Sequence, residues 1–175
     1  MKKLFFWLAV VAALVILAIT MTGAKPKPTE TAKGIDFTLN DVNGKSVKLS
    51  QYRGKLVVVD VFATWCGYCI EEIPGLISMQ TQYTKDNKPV QFIGIGVDKN
   101  ADDVKELAKN TKFSYPILIG EDKVVSSVFG DVQYLPTKFI ISSDGKILKK
   151  LTGGMSEEAL KKIINSYMPK AKPNK

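Results

Sequence analysis

The chain has 175 residues, room for one domain of ordinary size with a buried core, and 45% of them are hydrophobic. Its formal net charge of +8 lies at the ends: Lys2, Lys3, Lys25, Lys27 and Lys33 on one side, Lys170, Lys172 and Lys175 on the other, against Glu30 alone. Eight lysines against one acid leave +1 for residues 34–168, so the globular part has no basic face for DNA or RNA, and no nucleic-acid partner is expected.

After Lys2 and Lys3 the chain runs 18 residues, Leu4 to Met21, without a charge. As a helix this segment spans roughly 27 Å, close to the thickness of a bilayer's hydrocarbon core. Residues 1–23 are therefore expected to form a signal-anchor, a single transmembrane helix. Thr22-Gly23-Ala24 is a passable small-residue cleavage site, which leaves a cleaved signal peptide as the alternative, although that apolar region is usually shorter, about 7–15 residues. Lysines flank the run on both sides, so the positive-inside rule does not orient it. The short basic start before an apolar run is an export pattern and places the domain outside the cytoplasm. Residues 24–33 (AKPKPTETAK) read as a semi-extended linker, and residues 169–175 as a disordered basic tail.

Between linker and tail the pattern alternates between strand and helix. Ile35–Leu49 holds a hairpin around Asn43-Gly44. Leu56–Phe62 is an apolar run interrupted only by Asp60, the signature of a central strand covered on both faces. A helix starts at Gly67 and carries Ile70, Ile73, Ile77 and Met79 until Lys85-Asp86-Asn87-Lys88 breaks it. Val90–Val97 is a second buried strand. Ala101–Lys109 is a short helix, Pro116–Ile119 a short strand and Lys123–Phe129 another helix. Thr137–Ser142 and Lys146–Leu151 flank the hairpin signal Asp144-Gly145. Ser156 caps a last helix with Glu157 and Glu158 in its first turn and a stripe of Leu160, Ile163, Ile164 and Tyr167. The order predicts an α/β domain over 34–168: a mixed central sheet with helices on both faces. No internal repeat is present.

Chemistry enters at the only two cysteines, Cys66 and Cys69, in a C-x-x-C at a strand-to-helix junction. There the unpaired amides and dipole of the helix start stabilise a thiolate on the first sulfur, and the second lies about one turn further in. Such a pair reads as a reversible dithiol/disulfide. A structural zinc site needs about four ligands, and two cysteines without a histidine do not supply them, so no metal is expected. A purely structural disulfide closing so short a loop contributes only about 2 kcal/mol by loop entropy, before strain. Two carboxylates flank the pair in awkward places: Asp60 inside the central strand and Glu72 just ahead of Pro74 in the helix.

These residues together resemble the thioredoxin superfamily: WCGYC after VVVDVFAT, Pro74 five residues beyond Cys69, LPTKFII with Pro136 before a strand, and Gly153-Gly154 before the last helix. The LSQYRGKLVVVDVFATWC entry, the additional helix and strand at Ala101–Ile119 and the N-terminal apolar run are most similar to the membrane-tethered TlpA/ResA-like branch of extracytoplasmic thiol–disulfide oxidoreductases, several of which reduce apocytochrome c. The resemblance covers residues 34–168. It implies a thioredoxin-like fold with an N-terminal hairpin and a central helix–strand insertion, Cys66 as nucleophile, Cys69 as resolving thiol, Trp65 packed beside them and Pro136 in the cis form. Trp65, Tyr68, Leu135 and Pro136 would contact substrate, Leu135 through its backbone to an extended peptide. Asp60 matches the buried aspartate of thioredoxins and Glu72 a glutamate of the TlpA/ResA-like branch. One or both would exchange a proton with Cys69, with pKa values raised by desolvation. Many relatives in the branch have a neutral residue at the Asp60 position. The lysine that thioredoxins carry on the next strand is absent, and Gly94 falls there.

Direction of electron flow is read from what lies between the cysteines. Strong oxidants stabilise the reduced thiolate, commonly with an intervening histidine. Here the pair is Gly67-Tyr68, which leans toward a reductant of exported proteins fed by a membrane thiol–disulfide donor. A disulfide oxidant or isomerase, and a copper-handling assembly factor on the same fold, are the alternatives. Ala63, three residues before Cys66, weakens a peroxidase reading, where threonine is wanted. No cofactor is expected, and a monomer is.

Overall fold

The computed structural model describes residues 34–168, so the expected anchor, linker and tail lie outside the described residues. Among the described residues no helix is long and apolar enough to cross a membrane. The elements follow in the expected order. β1 (Thr38–Asn40) and β2 (Ser46–Lys48) form the antiparallel hairpin around Gly44, whose φ of 82° favours a residue without a Cβ. A short 3-10 turn over Leu49–Tyr52, absent from the sequence reading, follows directly and buries Leu49 completely.

The main sheet contains β3 (Leu56–Phe62), β4 (Val90–Gly96), β5 (Ile117–Ile119), β6 (Thr137–Ile141) and β7 (Ile147–Thr152), in the spatial order β5-β4-β3-β6-β7. β3 pairs in parallel with β4 and antiparallel with β6, which makes the sheet mixed. Every residue of β3 is buried, as its unbroken apolar run requires of a strand with neighbours on both sides and cover on both faces. β7 forms one edge; Lys149 and Lys150 stand exposed there, which discourages pairing with a further strand.

Four helices complete the domain: α1 (Gly67–Lys85), α2 (Ala101–Asn110), α3 (Asp122–Phe129) and α4 (Glu157–Tyr167). Ser156 caps α4 as the sequence predicts, accepting from the Ala159 N–H, and Asn100, which the sequence reading had not singled out, accepts from the Asp102 N–H at the start of α2; α3 begins without a side-chain cap. The period of two along β3 divides the core. Leu56, Val58 and Phe62 point into a cluster with Cys66, Cys69, Leu76 and Met79 of the α1 region and Leu160 and Ile164 of α4. Val57, Val59 and Val61 point the other way, toward Leu39, Val47 and the Val125 and Phe129 side chains of α3. Asp60 shares its parity with Val58 and Phe62, so its carboxyl belongs to the layer that holds the cysteines.

Candidate active site

Cys66 is the N-cap of α1. It is joined to Cys69 by a disulfide, with Cα atoms 5.2 Å apart, and its Sγ accepts the Cys69 N–H at 3.3 Å. The two sulfurs are not equivalent. Cys66 retains 8% exposure at the end of the helix, whereas Cys69, one turn in, retains 1%. Only the first is placed to meet a large partner. An N-cap sulfur facing the free amides of the first turn is also the one whose thiolate the helix stabilises.

The loop leading into Cys66 is held from β4's far end. Asp98, 9% exposed, accepts the Thr64 N–H at 3.0 Å and the Thr64 hydroxyl at 2.6 Å. Sequence reading did not identify this grip; an acid just past a buried strand is its only trace. Trp65, expected beside the sulfurs, is 74% exposed, and Tyr68 is 72% exposed. Both aromatic residues, one position before and two after Cys66 in the chain, are mostly exposed.

Across from the pair the Leu135–Pro136 peptide is cis, as the resemblance implied. The Pro136 carbonyl accepts the Gly153 N–H at 2.8 Å, which ties the loop to the Gly153-Gly154 pair. Among the described residues, no backbone hydrogen bond outside the regular elements involves the N–H or C=O of Leu135. A groove of about 910 Å³ runs from here, with Tyr68, Tyr134, Leu135, Gly154, Met155 and Glu157 on its walls. Tyr134, 66% exposed, is a third solvent-facing aromatic that sequence reading missed.

Beneath the pair lies a buried charge cluster. Asp60 retains 2% exposure and Lys138, its direct partner across the β3–β6 ladder, none. Lys138 Nζ lies 3.5 Å from Asp60 Oδ1 and 2.5 Å from Glu72 Oε2. The second Glu72 oxygen accepts the Met155 N–H at 2.5 Å. Asp60 Oδ1 has no hydrogen-bond partner. Burial pushes the Asp60 carboxyl up to about 6; the Lys138 ammonium opposes that rise and the Glu72 charge adds to it. The phenol of Tyr115 is raised as well, by burial and by Asp60. Glu71, by contrast, is exposed, as its place on the outer side of α1 suggests.

Lys138 is the residue that sequence reading overlooked. Gly94 does face Asp60 on β4, and a side chain there would have to displace its neighbours: a Cβ would lie 2.7 Å from Ile117 Cδ1 and 3.2 Å from Phe62 Cε1. The cation arrives from the opposite neighbour, β6. Its signal was a lysine inside the apolar run Thr137–Ile141, of the same kind that drew attention to Asp60.

A disulfide capping a helix beside a cis-proline loop, on a mixed sheet with helices over both faces, defines a thioredoxin-like thiol–disulfide oxidoreductase. A family model described as the AhpC/TSA family matches residues 31–150, and the chain belongs to that family. The chain is 31% identical over 149 residues to the thiol-disulfide oxidoreductase ResA of Bacillus subtilis (strain 168), covering 85% of this chain and 79% of the relative. It is 33% identical over 134 residues to the ResA of Geobacillus thermodenitrificans (strain NG80-2), covering 77% and 75%. A solved structure of a thiol:disulfide interchange protein of the thioredoxin family, from Chlorobium tepidum TLS, is similar with a TM-score of 0.68 and 26% identity, over 82% of this chain and 99% of that one. The enzyme class is thus carried by both sequence and fold: this chain is a thiol–disulfide oxidoreductase with a Cys66–Cys69 pair.

Proposed function

We propose that this enzyme reduces disulfides in exported proteins on the outer side of the cell membrane, apocytochrome c among the candidate clients. It would be held there by residues 1–23 through the linker 24–33 and recharged by a membrane thiol–disulfide donor. The observation that carries the reading is the asymmetry of the pair: Cys66 is at the surface end and Cys69 is buried, beside a groove whose rim offers the free backbone of Leu135.

In the proposed cycle the Cys66 thiolate attacks one sulfur of a client disulfide. The client's other sulfur departs as a thiolate, and a mixed disulfide forms on Cys66. Cys69 then gives up its proton and attacks the Cys66 sulfur, which releases the second client thiolate and restores the structure described above. A thiol buried as deeply as Cys69 ionises poorly, because burial disfavours its charged form. A proton acceptor is therefore needed, and Asp60 and Glu72 are the acids available. Leu135 would pair with an extended client segment strand to strand, with Trp65, Tyr68 and the Pro136 loop framing the contact. The Gly67-Tyr68 spacer, which adds no cation beside Cys66, supports the reducing direction.

The deciding experiment is a redox titration of the full-length chain, in detergent, against a dithiol buffer. A potential near or below about −270 mV, the thioredoxin range, is expected. A value nearer −120 mV would make the enzyme an oxidant, and absence of a reversible couple would turn the reading toward copper handling.

A further inference from the structure

The groove beside the redox pair carries a charge of one sign. Glu71, Glu72 and Glu157 stand on its walls, and no lysine or arginine does, although the chain as a whole has 25 basic residues against 17 acids. Glu72 is spent inside the protein, on Lys138 and the Met155 amide. Glu71 and Glu157 are exposed. The ion pairs among the described residues use Asp36, Asp60, Glu72, Asp102 and Asp144, never these two.

Glu157 lies close against α1 where that helix has no side chain: a Cβ at Gly75 would be 3.3 Å from Glu157 Oε2. Glycine inside a helix is destabilising. The dipole at the start of α4 favours an acid at position 157 but requires no glycine across from it. Below the acids the groove is apolar, lined by the buried side chains of Leu76, Met79 and Leu160, and the exposed residues Tyr68 and Tyr134 complete its walls. An apolar floor, two carboxylates without a partner and two aromatic residues together suit a side chain with a hydrocarbon stem and a cationic head. Lysine and arginine lay their stems on apolar surface and keep the charge in water, and aromatic faces attract that charge as well.

We propose that Glu71 and Glu157 make the groove a specificity site for client segments that carry a lysine or arginine a few residues from the cysteine joined to Cys66. Glu71 and Gly75 lie five and nine positions beyond Cys66 in the chain, roughly 8 and 14 Å along a helix. An extended client advances about 3.3 Å per residue, so the cation belongs about two to four residues from the client cysteine. The two acids act on capture of the client; the sulfur exchange is left to Cys66 and Cys69.

This inference rests on reading the groove as the client site, and its test separates the two. Full-length chain in detergent is reduced, freed of reductant and mixed with short peptides whose single cysteine is joined to thionitrobenzoate. Cys66 attacks the peptide sulfur, and thionitrobenzoate leaves with the electron pair and is followed by absorbance. Cys69 then displaces the peptide as a thiolate. The peptides are glycine, serine and alanine apart from one lysine, glutamine or glutamate, placed about two to four residues to either side of the cysteine. Each rate is divided by the rate of the same peptide with dithiothreitol, which removes its intrinsic reactivity. The order lysine over glutamine over glutamate is expected, by about two- to fivefold per step, the size of an exposed ion pair. It should shrink in about 0.5 M salt.

Glu71→Gln/Glu157→Gln should bring the lysine-to-glutamate ratio close to one, and Glu71→Lys/Glu157→Lys should invert it. A ratio cancels any general loss of activity or of folded chain. Glu158→Gln removes an exposed acid next to Glu157 that is not on the groove walls, and should keep the wild-type ratio. Equal rates for all peptides, a preference that survives in the double glutamine variant, or one that Glu158→Gln abolishes as well would overturn the proposal and leave the reductase reading standing. Failure to react with any of the peptides would overturn both.

Discussion

Asp60 and Lys138 sit opposite one another in the antiparallel ladder between β3 and β6, both buried, with Nζ 3.5 Å from Oδ1. A buried charge is tolerated only when paired. Lys138 keeps Glu72 as a partner if Asp60 is neutralised, whereas Asp60 and Glu72 share the one ammonium, so the two members of the pair are not equally costly to remove.

The Asp60 carboxyl is raised from an ordinary value of 3.8 to about 6, so the folded state binds this proton more tightly than the unfolded chain does. Its contribution to stability is full below about pH 4 and is lost as pH rises through about 6. Chemical denaturation of the wild type should show that decline, and Asp60→Asn should remove it. At pH 7 the variant is expected to be more stable, by up to about 3 kcal/mol at 1.36 kcal/mol per unit. A variant less stable than wild type at pH 7 would mean that the contact with Lys138 outweighs the desolvation of Asp60.

Cys69→Ser should accumulate a mixed disulfide between Cys66 and its client, since the attack that releases the client is missing. Cys66→Ser should accumulate none, because the remaining sulfur is buried. The check is non-reducing electrophoresis followed by mass spectrometry of the adduct. An adduct on Cys69 in the Cys66→Ser chain would reverse the two assignments.

Asp98→Ala removes the acceptor for both the Thr64 amide and hydroxyl, two residues ahead of Cys66. A stability loss of about 1–3 kcal/mol is expected for the amide left without its partner. The exchange rate should fall further than stability accounts for, because the N-cap sulfur loses its fixed approach. Rates measured well below the melting temperature separate the two effects. An unchanged rate would make Asp98 a structural residue only.

Tyr68→Ala and Tyr134→Ala alter rings that are 72% and 66% exposed, so stability should shift by no more than about 0.5 kcal/mol. KM for a protein disulfide should rise with little change in kcat, while exchange with a small disulfide stays as it was. Equal loss with both substrates would place the tyrosines outside client contact.

Gly94→Ala tests why Asp60's cation comes from β6. The added methyl would lie 2.7 Å from Ile117 Cδ1 and 3.2 Å from Phe62 Cε1, so these buried side chains would have to shift. A loss of about 1–3 kcal/mol is expected from overpacking, read from a thermal or urea melt. A neutral result would show that β4 could have accepted a side chain there.

Much of this was open to a reader of the sequence. The unbroken run at β3 announced a central strand, the turn residues at Asn43-Gly44 and Asp144-Gly145 announced two hairpins, and Ser156 marked the start of the last helix. Each of these signals is local: periodicity, a turn conformation, a cap. The C-x-x-C at a strand-to-helix junction marked the redox pair for the same reason, since a helix start acts on a sulfur through the first turn alone. The 3-10 turn at Leu49–Tyr52 was missed because it stands between hairpin and strand with no period of its own.

The sequence also showed that Asp60 and Glu72 were anomalous, without showing what they touch. Lys138 lies 78 positions after Asp60 and 66 after Glu72 in the chain, and its identity as their partner depends on the register of β3 against β6, which no local pattern encodes. Trp65 was similarly undecidable: the same indole can fill a core or stand at a surface, and the fold leaves it 74% exposed. Composition, periodicity and capping thus determined the elements and the reactive pair, because those follow from neighbours along the chain. The sharing of one ammonium between two carboxylates, and hence which acid is left with a free oxygen, was decided by packing between strands and a helix distant in sequence.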